Sequence, residues 1–157
     1  MLLSVVLVAL LMSLALRSPR IGLVSMVPNL LPVLTIGGWI GFAWEAMDSD
    51  TLVVAIMAIG IGVDDTIHFL VRYKREAERS KTTAEAIERT FHFAGRAIAM
   101  TTIILVAGFL HFAASDYFTV DMIGKLLPTA LVTALLADIL LVPALVQLGP
   151  LAVEPRG

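Results

Sequence analysis

The chain has 157 residues, of which 59% are hydrophobic and 15% are charged, and its formal net charge is −2. A mean hydropathy of +0.93 lies far outside the range of soluble globular proteins, so the composition predicts a membrane protein. The sequence contains no cysteine, which excludes disulfides and thiolate metal sites.

Five segments are long and apolar enough to cross a hydrocarbon core of about 30 Å as helices. They predict an all-α, polytopic membrane fold with spans at residues 1–16, 21–44, 51–71, 97–115 and 122–148. The first span is short, and a cleaved signal peptide is the alternative there, although no basic residue precedes its apolar run. Residues 149–157 are predicted to form a cytoplasmic tail.

Basic residues are concentrated in alternate loops, and this pattern predicts the orientation of the chain. Arg17 and Arg20 follow the first span, and most of the other basic residues lie between positions 72 and 96. The remaining loops are mainly acidic, with Asp50 and Asp116 among their charges. Because cytoplasmic loops are rich in Lys and Arg, we expect the N-terminus outside and the C-terminus in the cytoplasm.

Residues 82–95, between the third and fourth spans, are predicted to form a short amphipathic helix on the cytoplasmic membrane surface. Thr82 and Glu85 have the spacing of a helix-start capping box. Apolar residues then recur at helical intervals, which is typical of a helix with one apolar face. A solvated connector helix is the alternative interpretation.

Asp64 and Asp65 lie about two-thirds of the way along the third span, and they are the strongest functional signal in the sequence. A carboxylate near the centre of a spanning helix costs about 2.5 to 3.5 kcal/mol, so the pair costs about 5 to 7 kcal/mol. Two neighbouring carboxylates resist double ionisation at low dielectric, which suits a site that loads and releases a proton. His68 lies one helical turn beyond Asp64 and extends the polar edge.

Asp138, in the fifth span, is the other deeply placed acid. If its helix packs beside the third span, the acids and the histidine form one predicted proton relay, consisting of Asp64, Asp65, His68 and Asp138. Thr133, or Thr101 and Thr102, are expected to supply hydroxyls to this relay. The alternative is structural, since buried carboxylates can also hydrogen-bond neighbouring helices and hold a bundle together.

Gly60 and Gly62 precede the acid pair by about one turn. Their missing side chains are expected to let a neighbouring helix approach closely and to admit water beside the carboxylates. A metal site at Asp64 and His68 is not favoured, because one helix offers too few ligands there. No nucleophile and base have catalytic spacing, so no enzyme activity is expected, and neither a cofactor nor a nucleic-acid partner is expected.

Four motifs carry a family resemblance over essentially the whole chain. They are PNLLP at 28–32, GIGVDDTIHFLVRYK at 60–74, GRAIAMTTIILVAGFL at 95–110 and LADILLVPALV at 136–146. In order and spacing they resemble the RND superfamily of transporters, specifically its MMPL and Patched-like branch with the sterol-sensing region.

The resemblance implies a proton-driven exporter of the inner (cytoplasmic) membrane, whose substrates are lipids or other hydrophobic molecules. It implies that Asp64 and Asp65 match the aspartates at which proton binding drives the transport cycle. The chain would then be a fragment or split subunit that forms the transmembrane block of one half, with the C-terminal half favoured.

The implied partners are the lipid bilayer, the other half and the outer domains of the same transporter, and a hydrophobic substrate, with a homo-oligomer left open. The chain departs from the drug-exporting branch because it carries no lysine beside the acids, and His68 is the nearest base within the membrane. A sterol-sensing-like bundle that binds lipid and regulates a partner without transport is the alternative function.

Overall fold

The computed structural model describes residues 2–16, 18–43 and 49–149. Within these ranges the chain forms α-helices joined by short turns and contains no strand, which confirms the all-α class. The α-helices are α1 Leu2–Ala15, α2 Pro19–Val24, α3 Met26–Ala43, α4 Ser49–Ala77, α5 Thr83–Thr90, α6 Arg96–Leu110 and α7 Phe118–Gln147. A π-helical segment, Phe91–Gly95, joins α5 to α6, and a 3₁₀ turn, His111–Ala114, follows α6.

Four stretches of the described chain are long and apolar enough to cross a membrane, and this confirms a polytopic fold. They are Pro19–Phe42, Thr51–Ala77, Thr83–Ala114 and Phe118–Gln147. Helix α1 contributes a shorter apolar stretch, Val6–Ala15, so the first of the five predicted crossings stays a prediction. Arg17, Trp44 at the end of the second predicted span, and residues 150–157 of the predicted tail lie outside the described residues.

The second span is interrupted at Ser25, where α2 ends and α3 begins. Pro28 and Pro32 follow within α3, and neither has an amide hydrogen to donate to the carbonyl four residues earlier. The Ser25 hydroxyl donates to the Gly22 carbonyl at 2.8 Å and satisfies one backbone oxygen near the interruption. The first third of this span is therefore held less firmly by its own backbone hydrogen bonds than an uninterrupted helix would be.

Helix α5 begins with the predicted cap. The Thr82 hydroxyl oxygen accepts a hydrogen bond from the Glu85 amide at 3.2 Å, and the Glu85 carboxylate accepts one from the Lys81 amide at 3.0 Å. The apolar face of α5 is buried against the end of α4, where Ala86 and Ile87 join one core cluster. The amphipathic pattern of residues 82–95 thus reflects packing within the protein, and the helix continues into α6 without a break.

Helix α7 is central, because it packs against α3, α4 and α6. It runs parallel to α4, since the first halves of both helices meet around Val54 and Leu127 and the second halves meet around Phe69 and Val142. These two apolar clusters lie toward the two ends of the α4–α7 contact and do not fill its middle. The polar site described below occupies that middle level.

Candidate functional site

Three consecutive residues of α4 carry polar side chains at the level between the two apolar clusters. Successive helical residues point about 100° apart, so Asp64, Asp65 and Thr66 face three different directions. The Asp64 side chain is 72% exposed, Asp65 is half-buried, and Thr66 is 1% exposed. One turn of helix therefore presents a carboxylate outward, a second at the edge of the bundle and a hydroxyl to its interior.

Asp64 pairs with His68 on the outer face of α4. The His68 Nε2 atom lies 3.5 Å from Asp64 Oδ1, and both side chains are more than two-thirds exposed. Packed helices of the described chain therefore do not enclose Asp64. Hydropathy cannot show this, because the lipid-facing and protein-facing surfaces of a spanning helix are both apolar.

Asp138 is the buried acid of the site, with 3% of its surface exposed. Its Oδ1 atom accepts a short hydrogen bond, 2.6 Å long, from the Thr66 hydroxyl. Helix α7 thus packs beside α4, as the relay requires, and Asp138 is bonded to the residue that follows Asp65 in the chain.

The hydroxyl that bonds Asp138 belongs to Thr66 and not to one of the three threonines predicted to supply the relay. Thr133 donates to the Thr129 carbonyl at 2.9 Å, and Thr101 donates to the Ile98 carbonyl at 2.9 Å. Thr102 is buried on α6, whereas the hydroxyl that bonds Asp138 belongs to Thr66 on α4. Sequence spacing within a single helix cannot identify a hydroxyl donated across a contact between two helices.

Asn29 of α3 is a third member of the site that the sequence reasoning missed as a functional residue. It is 3% exposed, and its Oδ1 atom lies 3.3 Å from the Thr66 hydroxyl oxygen. Its Nδ2 group donates to the Ser25 carbonyl at 2.8 Å. An amide inside an apolar span is costly unless it is paired, and this signal in the sequence pointed to a buried partner.

Gly62 allows the three helices of the site to meet. A Cβ atom added there would lie 3.4 Å from both the Ala134 Cβ and the Asn29 Oδ1 atom, so a larger side chain would separate α4 from α7 and α3. Gly60, in contrast, has nothing within 4 Å of such a Cβ in the described structure. In the described structure α7 and α3 therefore contact α4 at Gly62 and not at Gly60, and the access that both glycines are expected to give water stays a prediction.

A groove of about 680 Å³ runs between α4 and the helix formed by the π segment and α6. Its polar lining consists of Asp64, Asp65, His68, Arg72, Arg75 and Thr101. The groove connects the acid pair at mid-span with the arginines near the end of α4. Asp65 thus borders the groove, while Asp138 is buried in the interior.

Among residues 2–16, 18–43 and 49–149, no three side chains of His, Cys, Asp or Glu gather into a group that could hold a metal ion. The pair Asp64 and His68 offers two ligands, which is fewer than a protein metal site uses. What the arrangement can do chemically is bind protons at carboxylates of different burial on two helices in contact.

Comparison with known proteins gives one consistent family. The family model described as "MMPL family" matches residues 1–156. The chain is 26% identical, over 88% of its length, to MJ1562 of Methanocaldococcus jannaschii, which is named as a membrane protein. It is similar to two chains named hopanoid transporter HpnN, with 26% identity over 92% of its length for Rhodopseudomonas palustris and 29% over 86% for Burkholderia multivorans.

The chain spans only part of each of these relatives. It covers 36% of the length of MJ1562 and 17% and 15% of the two hopanoid transporters. None of the solved structures matches the chain.

Proposed function

The chain belongs to the MMPL family, whose members are transporters and not enzymes, and we propose that it is the transmembrane proton-coupling part of a longer exporter. Two of its relatives are named as hopanoid transporters, and hopanoids are lipids. We therefore propose lipids or other hydrophobic molecules as the substrate class and the inner membrane as the location.

The observation that carries this proposal is the meeting of acids from two helices at mid-span. Thr66, which follows Asp65 on α4, is hydrogen-bonded to the buried Asp138 of α7, and Asp64 and His68 lie beside Asp65 on the exposed face of α4. A cluster of this kind is expensive to place among apolar helices, and such clusters mark proton relays and ion pathways. The groove beside α4 supplies the access that a relay needs.

A proton bound at this site can change the relative stability of two helix arrangements. Moving one proton inward across about 100 mV releases about 2.3 kcal/mol, and each unit of pH gradient adds about 1.36 kcal/mol. Proton binding at Asp138 also removes negative charge from the contact between α4 and α7, where the Thr66 hydroxyl bonds this carboxylate. Several kcal/mol are enough to reverse the populations of two states.

The decisive experiment replaces both acids of the pair, Asp64→Asn and Asp65→Asn, in the intact protein reconstituted into liposomes. We expect gradient-driven proton uptake, followed with a pH-sensitive dye, to fall to the level of empty liposomes while the amount of reconstituted protein stays unchanged. Asp116→Asn is the matched control, because Asp116 is an exposed acid in the turn before α7. Uptake that persists in the double variant would contradict the proposal.

A second candidate function is a sterol-sensing-like bundle that binds lipid without transport, and an apolar groove favours it. This groove, of about 310 Å³, lies between α3 and α4 and is lined by residues that include Leu34, Gly37, Gly38, Leu52 and Ala55. Labelling by a photo-crosslinkable lipid that persists in the Asp64→Asn, Asp65→Asn variant, with no proton uptake by the unsubstituted protein, would favour this candidate.

A further inference from the structure

The Thr66 hydroxyl has three acceptors within reach and a single hydrogen. Its oxygen lies 2.6 Å from Asp138 Oδ1, 3.1 Å from the Gly62 carbonyl oxygen and 3.3 Å from Asn29 Oδ1. The Gly62 carbonyl lies inside α4, where it already accepts a hydrogen bond from a backbone amide of the helix. The Thr66 hydroxyl therefore donates either to Asp138 on α7 or to Asn29 on α3, because its single hydrogen cannot bond both.

The orientation of the Asn29 amide makes this choice consequential. Its Nδ2 group donates to the Ser25 carbonyl at 2.8 Å, which turns Oδ1 toward Thr66. An amide oxygen can only accept a hydrogen bond. Leaving a buried acceptor without a donor is more costly than the average hydrogen bond is stabilising.

We propose that Thr66 is a positioning residue that converts the protonation state of Asp138 into a change in the contact between α4 and α3. When Asp138 is ionised, Thr66 donates to its carboxylate, and Asn29 Oδ1 has no hydrogen from this hydroxyl. When Asp138 binds a proton, its own O–H donates to the Thr66 oxygen, and the Thr66 hydrogen turns to Asn29. A proton on α7 thereby adds a hydrogen bond between α4 and α3.

Helix α3 is suited to respond at this point. The chain is interrupted at Ser25, and Pro28 and Pro32 on either side of Asn29 donate no backbone hydrogen bond. A side-chain bond at Asn29 therefore acts where the helix backbone is held least. The inference deepens the proposed function, because it names the route by which a proton at the site reaches a second helix.

The charged groups around Asp138 are few. Helices α1 and α3 carry no titratable residue, and α6 carries only Arg96 at its first position. On α7 itself, Asp121 and Lys125 lie more than three turns away. Helix α4 contributes Asp65, next to Thr66 in the chain, and the exposed Asp64 and His68. The other charged groups on the elements that contact α7 lie nearer the end of α4 and on α5, and they are Arg72, Lys74, Arg75, Glu76, Glu85, Glu88 and Arg89. A pH response of α3 must therefore be assigned to Asp138 by substitution.

The test places a single cysteine at Leu30, which is exposed beside Asn29, in a cysteine-free background of the intact protein in lipid nanodiscs. An environment-sensitive fluorophore on this cysteine reports the ratio of the two α3 states as a function of pH, without substrate or gradient. We expect the ratio to change about fivefold between alkaline and acid pH, which is the effect of one net hydrogen bond.

Three variants separate the switch from a merely structural role. Thr66→Val removes the hydroxyl and should abolish the pH response, whereas Thr66→Ser keeps the hydroxyl and should retain it. Asp138→Asn should hold the signal at its acid value at every pH, because the new amide donates to Thr66 as the protonated acid does. Thr90→Val is the matched control, because Thr90 is also fully buried but donates only to the Ala86 carbonyl of its own helix.

A full pH response in Thr66→Val, or in Asp138→Asn, would overturn the inference. If Thr66→Val does not fold, the response of Asp138→Asn alone decides. The result is independent of the transport assay. Proton uptake that survives in the Asp64→Asn, Asp65→Asn variant would count against the proposed function but not against the switch. Loss of uptake in that variant, combined with a pH response of α3 that Thr66→Val leaves unchanged, would count against the switch alone.

Discussion

Burial gives the carboxylates of the site different surroundings, although two of them are neighbours in the chain. Asp138 is 3% exposed and is bonded by the Thr66 hydroxyl at 2.6 Å. Asp64 is 72% exposed and has His68 as its partner at 3.5 Å. A carboxylate facing lipid tails is costly, so we expect this face of α4 to contact protein or water in the intact transporter. Protein packed on this face would enclose Asp64 and would not change the burial of Asp138.

Arg72 lies at the end of the site that is nearer the C-terminus of α4. Its guanidinium lies 2.7 Å from the carboxylate of Glu76, whose side chain is only 5% exposed, and 4.3 Å from the centre of the Phe93 ring. The cation over the Phe93 ring ties the end of α4 to the π segment, and the ion pair within α4 holds the guanidinium in place. Glu76 thus depends on one partly exposed arginine for its charge partner.

This dependence predicts an asymmetry between substitutions. Arg72→Ala leaves the buried Glu76 carboxylate without its partner and should lower the free energy of unfolding by about 1.5 to 3 kcal/mol. Adding Glu76→Gln to the same variant should restore part of that loss, because no buried charge is then left unpaired. Denaturant unfolding in detergent measures both values. A double variant no more stable than Arg72→Ala would show that the loss comes from the contact with Phe93.

At the scale of elements, Gly124 of α7 has closer neighbours than the other described glycines. These neighbours belong to the 3₁₀ turn that precedes α7. A Cβ atom on Gly124 would overlap the backbone of Phe112 and Ala113 in the 3₁₀ turn after α6. Since backbone atoms cannot move aside as a flexible side chain can, the entry of α7 requires a glycine there. Gly108, on α6, has nothing within 4 Å of an added Cβ in the described structure and provides a comparison.

We therefore expect opposite effects from the same substitution at two helical glycines. Gly124→Ala should lower the free energy of unfolding by about 1 to 3 kcal/mol, because the added methyl group overpacks the contact. Gly108→Ala should be neutral or stabilising by up to about 1 kcal/mol, because alanine favours the helix. Thermal unfolding of the two purified variants distinguishes these outcomes, and equal stabilities would show that the 3₁₀ turn moves aside freely.

At the scale of the whole molecule, much of the apolar surface is not covered by the chain itself. Large exposed side chains such as Met100, Ile103 and Ile104 lie on α6. The continuous helix Thr83–Ala114 has 32 residues and is roughly 48 Å long, which exceeds the hydrocarbon core of about 30 Å. The loops at its two ends must therefore lie on opposite sides of a membrane that this helix crosses.

The charge pattern predicts which side each loop occupies. Single cysteines introduced as Lys81→Cys and Asp116→Cys lie at exposed positions beyond the two ends of this helix. We expect a membrane-impermeant maleimide added outside intact cells to label the Asp116 site almost completely and the Lys81 site at background level. Inverted vesicles should give the reverse pattern. Labelling of the Lys81 site from outside would contradict the predicted orientation.

The sequence by itself determined the properties that depend on local composition. These are the helical class, the apolar spans, the Thr82 cap and the presence of acids inside apolar helices. Each follows from hydropathy or from capping chemistry, and each is a property of a short stretch of chain.

Only the tertiary structure decided which faces of those helices meet. It showed that Asp138 is buried and Asp64 exposed, that Thr66 and Asn29 complete the site in place of Thr133, and that Gly62 and not Gly60 lies at the contact. The reason is physical. Lipid-facing and protein-facing surfaces of a spanning helix are both apolar, so hydropathy does not distinguish them, and the contact is selected by the fit of small residues and by hydrogen bonds between helices.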